Sequence, residues 1–366
     1  MKFSQLAGVF EELESTRKRL ELTDALAGLF RGTKPAELRR VVYLCQGRLL
    51  PEHEGVELGV GEKLCAQAIA QACGRSVKEV EAHYRKTGDL GFTALELLKG
   101  RRQTTLAVQD LSTDKVYENL YKIATASGVG SQALKVKLLS ELLSHAQGVE
   151  AKVVVRFATG SMRLGAGELT ILDALSVSVA GDKSLREPLE RVFNMRNDLG
   201  FVAELLAAKG AGALEGVGPK PFSPIRPAAA ERLESPAAIV EKLGECIAEG
   251  KYDGFRIQLH KSGDRVEMFS RKLEPMTEMF PDVVQAARVH LKARDVILEG
   301  EAIAFEESTG EFLPFQATIQ RKRKHGVDEK ARELPLKLFA FELLYCDGED
   351  FTQKPLRERR EKLAAI

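Results

Sequence analysis

The sequence predicts a multidomain chain, an all-α part followed by an α+β part with a largely antiparallel sheet. Three observations predict it. Up to about residue 208 the apolar residues recur at helical spacing. Residues 209–230 (KGAGALEGVGPKPFSPIRPAAA) are rich in Gly, Pro and Ala and carry neither helical nor strand periodicity. Beyond them, short strand-like runs alternate with turns and helices. With 366 residues there is length for two cores, and the expected division is 1–208, a linker and entry segment 209–230, and 231–366.

Taken in order, Phe3, Leu6, Phe10 and Leu13 mark a first helix, and Thr23-Asp24 begins a second through Leu26, Leu29 and Phe30. Thr33 with Pro35 and Glu37 reads as the capped start of a third. Further helices are expected over 61–73, 76–85, 131–145 and 167–175. Val153–Phe157 (VVVRF) has strand composition and also suits a buried helix. After the linker, Ser235-Pro236 starts a helix through Leu243. Strands are expected over 265–271, 296–305 and 336–345, the last ending in an Asp347-Gly348 turn, with helices over 281–291 and 356–365.

The formal net charge is +1, and dividing the chain at residue 216 gives 29 basic against 27 acidic residues before it and 25 against 26 after. Bulk charge therefore does not argue for nucleic acid, and any such face must be a local patch. Five cysteines without C-x-x-C spacing favour reduced thiols in a cytosolic protein. No apolar run approaches the roughly 18 residues of a membrane span.

The stretch most suggestive of chemistry is Glu249-Gly-Lys251-Tyr252-Asp253-Gly254-Phe-Arg256. Asp253-Gly254 is a signal for a two-residue hairpin turn. In that hairpin Cys246–Tyr252 pairs with Phe255–His260, Lys251 faces Arg256 and Glu249 faces Gln258. A lysine opposite an arginine is an unfavourable pair for stability, but it favours a neutral, nucleophilic amine. A free lysine is only about one part in a thousand neutral at pH 7.5, and making it half neutral costs about 4 kcal/mol.

A second pattern lies in the helical part. L-G-x-G-E opens a helix at Leu58–Glu62, with Gly59 and Gly61, and again at Leu164–Glu168, with Gly165 and Gly167. Gly128 and Gly130 form a third Gly-x-Gly turn. Such turns let a phosphate approach the free N–H groups of a helix start, and Lys135, Lys137 and Arg163 lie nearby. They also serve as tight inter-helix turns.

Four motifs in order then identify a resemblance. They are E-x-K-Y-D-G-x-R at Glu249–Arg256, Phe269-Ser270-Arg271, Leu298-Glu299-Gly300-Glu301 and Phe339-Ala340-Phe341-Glu342-Leu343. The second part resembles the adenylation (nucleotidyltransferase) domain of ATP-dependent DNA ligases. The helical part, including R-L-G-x-G-E-x-x-I-L-D-A-L from Arg163, is similar to the DNA-binding domain that precedes it in archaeal and eukaryotic replicative-type ligases.

The resemblance implies that Lys251 carries AMP, Glu249 accepts from the adenine amino group, Arg256 and Glu301 hold the ribose, Arg271 the phosphate side, and Phe341 the base. It implies ATP with Mg²⁺, the metal held through water by Asp253 and Glu301. Nicked duplex DNA is the implied partner, met by the three glycine turns with Lys135 and Arg163, and by Arg321 and Arg323 of the basic run Arg321–Lys324. A sliding clamp is a further implied partner, and the location is cytoplasmic or nucleoid-associated, nuclear in a eukaryote. The family continues with E-G and K-x-K motifs and an OB-fold, so the chain is expected to be truncated before the C-terminal part of its adenylation domain. On that expectation it binds DNA and seals nicks negligibly. An RNA ligase of the same superfamily and a non-catalytic DNA-binding fragment are the alternatives; a GTP-using capping enzyme would not carry so long a helical part, and an NAD-dependent ligase would need a nicotinamide-binding segment that the sequence does not show.

Overall fold

A computed structural model describes residues 1–99, 110–323 and 325–366. The described chain divides into two compact units. The first holds 1–193 and 198–217, the second 194–197 and 218–366. The stretch 209–230 is thus shared between them. Leu214 and Val217 are buried in the first core, and Ile225 is buried in the second unit.

Among its described residues the first unit has helices and no strand. Its helices are α1 (Phe3–Ser15), α2 (Arg19–Arg31), α3 (Pro35–Cys45), α4 (Glu62–Cys73), α5 (Val77–Thr87), α6 (Leu90–Lys99), α7 (Thr113–Thr125), α8 (Ser131–His145), α9 (Val149–Ala158), α10 (Glu168–Ala180), α11 (Arg186–Arg196) and α12 (Leu199–Lys209). They pack chiefly as the pairs α2–α10, α3–α12, α4–α8 and α6–α9 around one apolar core. The VVVRF segment lies inside α9, every residue of which after Val149 is buried. Its two cations are satisfied internally: Lys152 Nζ lies 3.0 Å from Glu14, and Arg156 reaches Glu14 at 2.6 Å and Asp89 at 2.9 Å.

Two expected helix starts differ. The second helix begins at Arg19, a turn before Thr23, whose hydroxyl donates to the Arg19 carbonyl. The third is entered from Lys34, because Thr33 instead donates its hydroxyl to the Leu29 carbonyl. Ser76 caps α5 as a capping box with Glu79.

The second unit is α13 (Pro236–Leu243), β1 (Phe255–Ser262), β2 (Arg265–Ser270), α14 (Pro281–His290), β3 (Asp295–Ala304), α15 (Phe315–Thr318), α16 (Val327–Glu333), β4 (Leu336–Cys346), β5 (Glu349–Asp350) and α17 (Leu356–Ala365). The sheet runs β2-β1-β3-β4-β5, antiparallel throughout. One face carries Ile257, Leu259, Val296, Leu298 and Leu343 into a core with Val283, Val284 and Ala287 of α14. The period of two then puts Arg256, Gln258, His260, Glu299 and Glu301 on the opposite face.

The expected hairpin at Asp253-Gly254 does not form. Residues 246–254 are not a strand, and both edges of β1 are taken by β2 and β3. Neither Asp253 nor Gly254 has the positive φ that the turn requires. Gly254 is small for another reason: a Cβ there would lie 2.3 Å from the Ala302 carbonyl oxygen. The same dipeptide does make the turn at Asp347-Gly348, with φ of 45° and 97°, between paired Cys346 and Glu349. Lys251 accordingly does not face Arg256. Arg256 lies opposite Glu301, and Gln258 lies between Phe269 and Glu299.

Candidate active site

Lys251 sits on the segment leading into β1, exposed, its Nζ donating to the Tyr252 carbonyl at 3.1 Å. Two adjoining clefts, of about 900 and 420 Å³, share Lys251, Arg256 and Glu301 in their walls. The larger is also lined by Asp253, Arg271, Lys272, Glu299 and Lys322, the smaller by Glu249, Phe341 and Arg360. Six residues given nucleotide roles from the motifs, and the carboxylate Asp253, thus meet in one region of the sheet.

Arg256 is held from two sides. Its Nη2 lies 2.5 Å from Glu299, and its guanidinium stacks 4.4 Å above the Phe341 ring. Phe341 reaches that position through a β-bulge. Glu299 pairs with Glu342 while Gly300 pairs with Ala340, leaving Phe341 as the extra residue. Gly300 permits the close strand approach, since a Cβ would lie 2.7 Å from the Phe339 carbonyl oxygen. Tyr252 stacks on Phe339 at 4.7 Å, fixing the residue beside Lys251.

Glu301 is buried and accepts the Gly254 N–H at 3.1 Å. Burial raises its pKa above the ordinary carboxylate range, and nearby Asp253 adds to the rise. The Gly254 bond, Lys251 and Arg256 pull the other way. Glu249 pairs with Arg360 of α17 at 3.0 Å. Arg360, Glu299 and Gln258 were given no site role from the sequence, although Glu299 stands in a quoted motif. Arg360 lies in an evenly charged helix, and the other two depend on strand register. Among the described residues no group of three or more His, Cys, Asp or Glu side chains gathers as a metal cage.

Arg321 requires a correction. Expected to meet DNA, it is fully buried and forks onto Asp282 at 2.7 and 3.0 Å, with a third bond to the Leu334 carbonyl. A guanidinium so enclosed cannot reach a phosphate. Arg323 is exposed, and Lys324 lies outside the described residues.

In the helical unit, Gly59, Gly61, Gly128, Gly130, Gly165 and Gly167 are all exposed. Gly61, Gly130 and Gly167 immediately precede α4, α8 and α10. Lys135 reaches back from α8 to the first turn, donating to the Leu58 carbonyl at 3.3 Å. Glu62 and Glu168 occupy the first turns of α4 and α10, whereas α8 has no acid there. The 128–131 turn is therefore the one whose partial positive charge is uncompensated. Arg163 is exposed beside the third turn.

Two family models match: DNA ligase N terminus over residues 2–176 and ATP dependent DNA ligase domain over 227–366. The chain belongs to the ATP-dependent DNA ligase family. It is 46% identical to DNA ligase 2 of Thermofilum pendens, 43% to the DNA ligase of Nitrosopumilus maritimus and 45% to that of Staphylothermus marinus. All of this chain is covered in each case, with 62%, 62% and 64% of the relatives. The chain thus spans somewhat under two thirds of the length of the curated ligases it matches. Among solved structures, mycobacterial DNA ligase D complexed with ATP and MES gives 26% identity and a TM-score of 0.26, over 32% of this chain and 35% of that one.

Proposed function

We propose that this ligase-family chain takes AMP from ATP onto Lys251 and serves the joining of nicks in duplex DNA. The observation that carries the reading is the convergence of Lys251, Arg256, Glu301 and Phe341 on the two adjoining clefts. The neutral Lys251 amine attacks the α-phosphorus, forming an N–P bond as the P–O bond to pyrophosphate breaks. A 5′-phosphate oxygen at the nick then takes the AMP and releases the lysine. The 3′-hydroxyl finally displaces AMP and closes the strand.

In this reading Glu249 receives the adenine amino group, which excludes guanine's carbonyl, and Phe341 packs on the base. Arg256 and Glu301 hold the ribose. The Arg256 Nε–H is buried and has no hydrogen-bond partner, while its Nη2 is taken by Glu299. Arg271, exposed in the larger cleft, serves the phosphates. The oxygen donors Asp253 and Glu301 suit Mg²⁺ held through water, since a hard ion needs few protein ligands when it keeps its own waters. Mg²⁺ supplies charge neutralisation on the triphosphate.

The helical unit meets DNA phosphates at the three glycine turns without reading sequence. A sliding clamp as partner and a cytoplasmic or nucleoid-associated location, nuclear in a eukaryote, belong to the same reading. No helix among the described residues is long and apolar enough to cross a membrane. The test is the mass of the chain after incubation with ATP, GTP or NAD. One AMP on Lys251 with ATP alone, lost in Lys251→Ala and Lys251→Arg, is expected. Labelling of another lysine, or none, overturns the assignment.

A further inference from the structure

One buried amide joins two walls of the larger cleft. Gln258, on β1, is buried, and all its polar capacity is used. Its Oε1 accepts the Ile225 N–H at 2.7 Å, and its Nε2 donates to the Ile225 carbonyl at 2.9 Å. The same Nε2 donates to Glu299 Oε1 at 3.0 Å, while Glu299 Oε2 holds the Arg256 guanidinium. His260, fully buried, completes the set. Its Nδ1 accepts the Phe222 N–H at 2.8 Å, so the ring proton lies on Nε2, 2.9 Å from Gln258 Oε1.

The partners are not interchangeable. The Ile225 N–H needs an acceptor and Glu299 needs a donor, so the amide has one possible orientation. Toward the strap it fixes Ile225, from which Pro227–Ala230 continue as one wall of the larger cleft. Toward the sheet it fixes Glu299, and through it the arginine stacked on Phe341. Substituting Gln258 by an apolar residue would leave the Ile225 amide and one Glu299 oxygen without these partners.

We infer that Gln258 is a positioning residue that couples the 222–230 strap to the Arg256 guanidinium, so that nucleotide held by the arginine is felt by the strap. This role rests on the reading of the cleft as an ATP site. Gln258 itself touches no reacting atom, and its effect passes through Glu299 and Arg256.

The experiment measures ATP affinity by calorimetry for the full chain, Gln258→Met, Arg256→Ala and the double variant. Amide hydrogen exchange at Phe222 and Ile225 is followed with and without ATP. Gln258→Met is expected to weaken ATP about tenfold, the worth of one hydrogen bond to a charged group, and to speed exchange at Ile225. In the Arg256→Ala background the same substitution should cost little, because the effect travels through the arginine, whereas general loosening would add in full. If Gln258→Met does not fold, the unmodified chain still decides: ATP should slow exchange at Ile225, since coupling between two sites is reciprocal. Unchanged affinity in Gln258→Met, additive losses in the double variant, or an Ile225 amide indifferent to ATP each overturn the role. Failure of the unmodified chain to bind ATP overturns the reading of the cleft instead, and the role with it.

Discussion

Gly254 and Ala302 approach so closely that a methyl group on the former would sit 2.3 Å from the carbonyl oxygen of the latter. The glycine of the lysine motif, just before β1, is therefore fixed by its contact with β3. Because the obstacle is backbone, a side chain cannot rotate away from it. Gly254→Ala is expected to destabilise the second unit by about 1–3 kcal/mol, the usual cost of overpacking. Urea unfolding followed in the second unit checks this; an unchanged midpoint would show that the strands separate freely.

Arg321 supplies the second prediction. Its side chain has no exposed surface and is paired with Asp282. Arg321→Met leaves that carboxylate without its partner and should cost about 3–5 kcal/mol. The salt dependence of DNA binding should stay as it was, because the residue presents nothing to a phosphate. A loss of DNA affinity with stability preserved would reverse the assignment.

Glu301 gives a prediction in pH. Burial raises its pKa in the folded chain, so the folded state binds this proton more tightly than the unfolded one. Its contribution to stability is full below the unfolded value and is lost as pH rises through the folded value. Glu301→Gln keeps an acceptor for the Gly254 N–H and does not titrate. Relative to the unmodified chain, the variant should gain stability as pH rises from about 4 toward 7, a span that starts near the ordinary glutamate pKa. Urea midpoints across that span test it, and a constant difference would contradict the raised pKa.

For the helical unit, Lys135→Ala and Arg163→Ala should weaken duplex binding to a similar degree on unrelated sequences. Each should lower the slope of log affinity against log salt by about 1, as loss of one phosphate contact does. Titrations at several salt concentrations with two unrelated duplexes provide the measurement. A sequence-dependent loss would point to base contacts.

The sequence carried the helices well where a cap or a clean period marked them, as at Val77–Thr87 behind Ser76, and VVVRF shows why composition alone misleads. The polar residues of its helix, Glu150, Lys152 and Arg156, are buried with the apolar ones, so they do not mark a solvent face. Most strands of the second unit were also legible. The segment bearing Lys251 was misread because Asp-Gly serves two purposes: at Asp347-Gly348 it turns the chain, and at Asp253-Gly254 it clears a neighbouring strand. Only the pairing of β1 on both edges distinguishes them, and that is a long-range fact. Arg321 failed for a related reason. A run of four cations reads as surface, yet Asp282, some forty positions away, draws one of them inside. Phe341 is legible as part of its motif, while the bulge that sets it under the Arg256 guanidinium depends on register.

The segment bearing Lys251 joins the sheet at Gly254, and from residues 246 to 254 it forms no strand of its own. The adduct proposed on Lys251 would therefore break no ladder bond, and the sheet would serve as an unchanging anvil for it. Loading and unloading should appear in solution as altered resonances or exchange rates over 246–254, with the amides of β1 and β3 keeping the same rates in both states.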